Sequence, residues 1–201
     1  VVDYACGYGD SLKLWIDEFR VARVVGVEPD PNVTATIRTR IADWGLADRI
    51  RVVTARAEDL TPTDAAPDVT AVVCVDAAYH FDTRHDWLTR TIRALPPHGR
   101  LGISDLEVCA RGSRLWRTEV LARVIQMPSA NLQTAEDVER TLTEAGARIV
   151  WSETAGEAVL DGFASHAMGS GVPFAVTRGL IKLARRGRLV DYRIVGAERT
   201  V

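Results

Sequence analysis

The first eleven residues, Val1 to Ser11, read VVDYACGYGDS: a short apolar run, an acidic residue and a glycine-rich turn ahead of a helical pattern. Asp3 sits where a buried strand would emerge, and Gly7 and Gly9 let the backbone approach a ligand with no Cβ in the way. Leu12, Trp15, Ile16 and Phe19 predict an amphipathic helix from Ser11 to about Arg20, with its N-terminal amides aimed at that ligand. The chemistry these residue types suit is recognition of a nucleotide-like molecule.

Three further stretches extend the pattern. The run Val24 to Val27 predicts a buried strand closed by Glu28 and the turn residues Pro29, Asp30 and Pro31, with a helix from there to Gly45. In a doubly wound sheet, Glu28 then stands at the carboxyl end of the neighbouring strand, where a carboxylate can accept both ribose hydroxyl hydrogens. The strand Arg51 to Thr54 leads into Ala57, Glu58 and Asp59. The apolar run Val69 to Val75 reads as a parallel strand covered on both faces, with Asp76, Tyr79, His80 and Phe81 at its carboxyl end. An imidazole, with an ordinary pKa of about 6.5, suits a general base at neutral pH. His80 is therefore the catalytic candidate, with Tyr79 to orient the acceptor and Asp76 able to fix the histidine.

The third position of a dinucleotide fingerprint is Leu12 instead of glycine, which argues against a nicotinamide dehydrogenase. An acidic residue before the turn suits S-adenosylmethionine, whose amino-acid end carries an ammonium group. VVDYACGYG resembles the first motif of the class I S-adenosylmethionine-dependent methyltransferases, apolar-apolar-D/E-x-G-x-G-x-G, with Ala5 in place of the first glycine. The resemblance implies that Asp3, Ala5, Gly7 and Gly9 cradle the cofactor and that Glu28, with Pro29, meets its ribose. It places Ala57 at the adenine beside either Glu58 or Asp59, and Asp76 among the cofactor-binding residues. The A-Y-H-F run, residues 78–81, looks like the x-x-H-F loops of small-molecule methyltransferases, and Pro96 to Gly99 resembles that family's L-K-P-G-G turn.

These residues need a scaffold, and the remaining pattern supplies one. Trp87 to Leu95 predicts an amphipathic helix and Arg100 to Asp105 a fifth strand. Thr134, with Asp137 three residues on, predicts a capped helix ending at Gly146, and strands follow at Arg148 to Glu153 and Val190 to Ala197. The expected fold is α/β, doubly wound and Rossmann-like, a seven-stranded mostly parallel sheet with an antiparallel strand near the C-terminus. A single domain of residues 1–201 carries a substrate-shaping helical insert, residues 107–132. The insert's apolar face (Leu115, Trp116, Val120, Leu121, Val124, Ile125) is expected to pack on the core. Gly156 to Phe174, with Phe163, His166 and Met168, reads as a pocket wall or a surface connection. Only Val1, Val2 and Asp3 are available for the first strand, against a usual length of about five or six residues. The expectation is a chain that starts inside a longer protein whose preceding helices close over the cofactor.

A formal net charge of -2 gives no electrostatic case for nucleic acid, and no apolar run is long enough to span a bilayer. Three widely spaced cysteines indicate neither a disulfide framework nor a zinc ribbon, in keeping with a cytoplasmic protein. Asp76 and Asp105 both end strands on the ligand edge, but they offer too few oxygens for a metal site, so none is expected. Arg185, Arg186 and Arg188 close a late helix, where positive charge suits the dipole. The expected function is methyl transfer to an oxygen or nitrogen, less readily carbon, of a small-molecule metabolite, with a homodimer allowed. The alternative is a non-catalytic S-adenosylmethionine-binding regulatory or assembly domain.

Overall fold

The computed structural model describes residues 1–109, 115–162, 179 and 182–201. Strands β1 (Val2–Tyr4), β2 (Val24–Glu28), β3 (Ile50–Thr54), β4 (Ala71–Val75), β5 (Arg100–Val108), β6 (Ala147–Thr154) and β7 (Val190–Arg199) form one seven-stranded sheet. Its order is β3-β2-β1-β4-β5-β7-β6, parallel except for β7, which runs antiparallel to both β5 and β6. The helices are α1 (Asp10–Asp17), α2 (Pro31–Asp43), α3 (Pro62–Ala65), α4 (Arg84–Ala94), α5 (Leu115–Val124) and α6 (Ala135–Glu144).

The strand order reverses at β1, so the crevice above β1 and β4 is the topological switch point where open α/β sheets hold ligands. All three residues of β1 are buried, and Val2 stands opposite Val25 on one side and Val72 on the other. Central placement lets so short a strand persist, because both its edges are paired. Trp87 of α4 is buried beneath it, edge-on to Tyr4 at 5.5 Å and to Phe81 at 5.1 Å between ring centroids. One helix thus braces the first strand and the loop after β4.

Local chemistry explains the element ends. Asp30 caps α2 by accepting from the amides of Asn32 (2.7 Å) and Val33 (3.4 Å), and Pro31 occupies the first turn, where no amide is needed. The capping box on α6 forms as expected: the Thr134 hydroxyl accepts from the Asp137 amide at 3.3 Å, and the Asp137 carboxylate accepts from the Thr134 amide at 3.0 Å.

Three expectations are corrected. Helix α1 stops at Asp17, Arg20 turns left-handed (φ 56°), and Phe19 is exposed instead of lying on the buried face. Strand β5 runs on to Val108, since β7 pairs with it along its full length to Val190, so the helical insert begins after Val108. The apolar face of α5 is split: Leu121 is buried, whereas Trp116, Val120 and Val124 are exposed along an apolar groove of about 570 Å³ shared with Leu183 and Leu189. Arg185 pairs with Asp191 of β7 at 2.8 Å. Phe163, His166 and Met168 lie outside the described residues. Among the described residues, no helix is long and apolar enough to cross a membrane.

Candidate active site

The site grows from the carboxyl ends of β1, β2, β3 and β4. Past Tyr4 the chain turns through Ala5 (φ 55°), Gly7 (φ 52°) and Gly9 (φ 83°), and the Cys6 amide donates to the Val27 carbonyl at 3.2 Å. The loop lies directly on β2: a Cβ on Gly26 would stand 2.7 Å from Cys6 Sγ and 2.9 Å from Leu12 Cδ1. Gly26 carries this close approach, and a lone glycine inside a strand run was the one signal for it. Gly9 precedes α1 without a side-chain cap, so the first amides of the helix stay available to an anionic group.

Glu28 ties this turn to the next. One carboxylate oxygen accepts from the Gly7 amide at 3.2 Å and the other from the Asp30 amide at 3.2 Å. A carboxylate has about four lone-pair sites, so two stay free for hydroxyl donors. Asp3 is placed differently. Its side chain is buried below the turn and accepts from Trp15 Nε1 at 2.8 Å. Burial pushes its pKa up to about 6, against the opposing hydrogen bonds of Ser11 and Trp15.

Beyond β3, residues Ala57–Asp59 make a single 3₁₀ turn. Glu58 accepts from the Asp82 amide at 2.8 Å and from Arg56 Nε at 3.4 Å, and Arg56 also reaches Asp82 at 2.5 Å. Burial raises the Glu58 pKa, but the Asp82 amide and the Arg56 cation outweigh it and leave the group below its ordinary value. The structure separates the pair left open by the sequence: Glu58 lines the cleft, whereas Asp59 is exposed outside it.

Together these ends enclose a cleft of about 460 Å³. Ala5, Glu28 and Pro29 form one wall and Ala57 and Glu58 the other, with Ala77, His80 and Phe81 closing it on the β4 side. Its volume falls in the range of small-molecule sites, roughly 300–1,000 Å³. A larger cleft of about 660 Å³ lies at the opposite edge of the sheet, around Val1, Arg23, Arg49 and Asp68. It is on the wrong side of the strands for an α/β ligand site, and its Arg23–Asp68 ion pair is solvent-exposed. Of the expected cofactor residues, the 460 Å³ cleft gathers Ala5, Glu28, Pro29, Ala57 and Glu58. Gly7 and Gly9 form the turn at its rim, Asp3 lies beneath, and Asp76 stands one residue outside.

The loop after β4 hangs on a buried polar network that the sequence did not reveal. Arg84 and Asp105 are both buried and pair at 2.8 Å through Nη1. Arg84 also donates to the Leu106 carbonyl (2.8 Å), the Asn131 carbonyl (3.3 Å) and Gln133 Oε1 (2.9 Å). Asn131 accepts from the Arg84 amide at 2.7 Å and donates to the carbonyls of Tyr79 (3.1 Å) and Phe81 (2.6 Å). The Tyr79 amide donates to Asp105 at 3.3 Å. Burial raises the Asp105 pKa, opposed by the Arg84 cation. With its oxygens taken by Arg84 and the Tyr79 amide, Asp105 is a structural anchor.

His80 itself is exposed on the cleft wall, 4.0 Å from the Tyr79 ring between centroids. Its Nδ1 lies 3.3 Å from the Gln126 carbonyl. A carbonyl oxygen only accepts, so this contact calls for a proton on Nδ1. Tyr79 packs beneath α5 with Ile125, Leu132 and Tyr192, and burial raises its pKa.

Comparison with known proteins agrees with this geometry. A family model described as a methyltransferase domain matches residues 1–99. An erythromycin 3''-O-methyltransferase from Saccharopolyspora erythraea is 27% identical over 106 residues, covering 53% of this chain and 34% of that protein. A ribosomal RNA small subunit methyltransferase H from a Synechococcus species is 27% identical over 195 residues, covering 94% of this chain and 56% of that one. The chain thus spans less than two thirds of the length of the curated relatives it matches. In fold, a geranyl diphosphate C-methyltransferase from Streptomyces coelicolor A3(2) superposes with a TM-score of 0.82 at 19% identity, covering 99% of this chain and 70% of that one. The strand order, the acidic switch-point cleft and the methyltransferase-domain match over residues 1–99 support a class I S-adenosylmethionine-dependent methyltransferase.

Proposed function

We propose that this chain transfers the methyl group of S-adenosylmethionine to an oxygen or nitrogen of a small-molecule metabolite. The observation that carries the reading is Glu28, fixed between the Gly7 and Asp30 amides on the wall of the switch-point cleft with lone pairs to spare. In this reading Glu28 and Pro29 hold the ribose, Ala57 and Glu58 the adenine, and the Ala5 to Gly9 turn above Asp3 the amino-acid end. When bound, the cofactor supplies an electrophilic methyl carbon on a sulfonium, open to in-line displacement.

The protein's task is then alignment, which can contribute roughly 7–11 kcal/mol to lowering such a barrier. His80 and Tyr79 are the side chains we assign to the reaction edge, His80 from the cleft wall and Tyr79 beneath α5. The small-molecule assignment is supported by the net charge of -2 and by the likeness to an antibiotic O-methyltransferase. A fold shared with C-methyltransferases does not select the acceptor atom.

Calorimetric titration with S-adenosylhomocysteine and with NAD tests the cofactor. The expected result is binding of S-adenosylhomocysteine alone, weakened at least about tenfold in Glu28→Ala, since a hydrogen bond to a charged group contributes about 1.5–3 kcal/mol. NAD binding, or no effect of Glu28→Ala, overturns the reading. An acceptor screen that includes ribosomal RNA beside metabolites then tests the substrate class. With the acceptor in hand, a His80→Ala variant that keeps its affinity for S-adenosylhomocysteine and loses turnover supports His80 at the reaction edge.

A further inference from the structure

Asp76 stands at the switch point but outside the lining of the cofactor cleft. It follows β4 with a left-handed backbone (φ 55°), which aspartate adopts more readily than most residues other than glycine, and its amide donates to the Ser104 carbonyl at 2.8 Å. The next residue, Ala77, lines the cleft, whereas the Asp76 carboxylate turns the other way, toward β5 and β7. There it meets the hydroxyl of Tyr192, which also lies 3.2 Å from the Ser104 carbonyl and 3.3 Å from Ser104 Oγ. Asp76 is nonetheless open to solvent.

We infer that Asp76, held by Tyr192, faces the acceptor at the position of methyl transfer and receives the acceptor's proton. The inference rests on the methyl-transfer reading. The adenosine-binding cleft occupies the β3-β2-β1 side of the switch point, so the acceptor must approach from the β4-β5 side, where the Asp76 carboxylate is exposed. As the acceptor's oxygen or nitrogen forms its bond to the methyl carbon, the carbon–sulfur bond breaks and its electron pair stays on sulfur. The proton of the acceptor's O–H or N–H passes to the Asp76 carboxylate.

The electrostatics suit that task. Crowding by the protein, followed by the Asp105 carboxylate, pushes the Asp76 pKa up to about 6, and the Tyr192 hydrogen bond holds it from rising further. The other titratable groups around it are Tyr79 and Cys74. Asp105 is already committed to Arg84. A base poised near neutrality is both ionised and able to take a proton.

The test needs no known acceptor. Sinefungin carries a protonated amine where S-adenosylmethionine carries its methyl group, and S-adenosylhomocysteine carries nothing there. Calorimetry with both ligands on wild-type protein, Asp76→Asn and His80→Ala reads the charge facing that point. Asparagine tolerates the left-handed backbone, and S-adenosylhomocysteine binding reports that the variant is folded. The expected result at pH 8 is an Asp76→Asn variant that binds S-adenosylhomocysteine normally and loses about tenfold in sinefungin affinity, the size of one charge-assisted hydrogen bond. His80→Ala leaves the ratio of the two affinities unchanged. In wild type the preference for sinefungin falls as pH drops through about 6, and Tyr192→Phe moves that midpoint upward by removing a donor to the carboxylate. An unchanged ratio in Asp76→Asn, or a ratio lost in His80→Ala instead, overturns the inference. Failure of wild type to bind S-adenosylhomocysteine overturns the methyl-transfer reading beneath it.

Discussion

The two halves of the ligand edge are built by different means. On the β3-β2-β1 side, the cleft is made of turns held by backbone amides donating to Glu28, and of small residues that let the chain come close. On the β4-β5-β7 side, the loop from Asp76 to Phe81 is suspended from side chains far apart in the chain: Arg84, Asp105, Asn131 and Gln133. The first construction exposes lone pairs and amides to a ligand. The second consumes nearly every polar group it brings together. Lesions on the first side should therefore cost binding, and lesions on the second should cost stability.

The strongest way to break this contrast is Arg84→Met. It leaves Asp105 buried without its cation, and breaking a buried pair by removing one partner costs about 3–5 kcal/mol. Urea unfolding followed by circular dichroism should show that loss. A change below about 1 kcal/mol would mean that the loop is held by packing alone. Removing the stranded charge as well, in Arg84→Met with Asp105→Leu, should recover much of the stability, as apolar replacements of buried pairs often do.

Asp3 sharpens the contrast from the other side. Its carboxyl has a pKa of about 6 in the fold, against an ordinary value of about 3.9. Between those values the folded protein keeps a proton that the unfolded chain releases. Stability therefore falls as pH rises from about 4 to about 6, and the loss persists above that. Asp3→Asn keeps an oxygen for Trp15 Nε1 and removes the charge. It should stabilise the ligand-free protein at pH 8 by on the order of 2–3 kcal/mol and leave it unchanged near pH 4. Affinity for S-adenosylmethionine should fall in the same variant, a stability gained at the expense of function. Destabilisation at pH 8 would show instead that the ionised carboxylate is held favourably.

The smallest effect is a control distant from both halves. Thr134→Ala removes a capping-box partner from α6 and should cost about 1 kcal/mol in thermal unfolding with no change in S-adenosylhomocysteine affinity.

What was legible in the sequence follows the same division. The Asp30 cap and the Thr134–Asp137 box lie within a few residues of what they cap, and the β1 turn and Glu28 stand directly where an apolar strand run ends, so residue type and spacing expose them. Arg84, in the run TRHD, reads as a solvated charge at a helix start, and Asn131 as a loop residue. Both are buried because their partners arrive from β5 and from the turn after α5. The end of α1 and the exposed half of α5 were misplaced for a related reason: an apolar stripe shows that a face exists, not which neighbour covers it.

By itself, the sequence determined the doubly wound fold, the glycine-rich turn after β1 and the carboxylate that ends β2, because alternation of apolar runs with glycine, proline and acidic residues marks where strands stop and turns begin. Only the tertiary structure decided that Asp3 is buried below the turn, that Glu58 and not Asp59 lines the cleft, and that Asp76 meets Tyr192 outside the cleft lining. Those outcomes depend on desolvation and on hydrogen-bond partners supplied by strands up to 116 residues further along the chain, and no local pattern encodes which of them will meet.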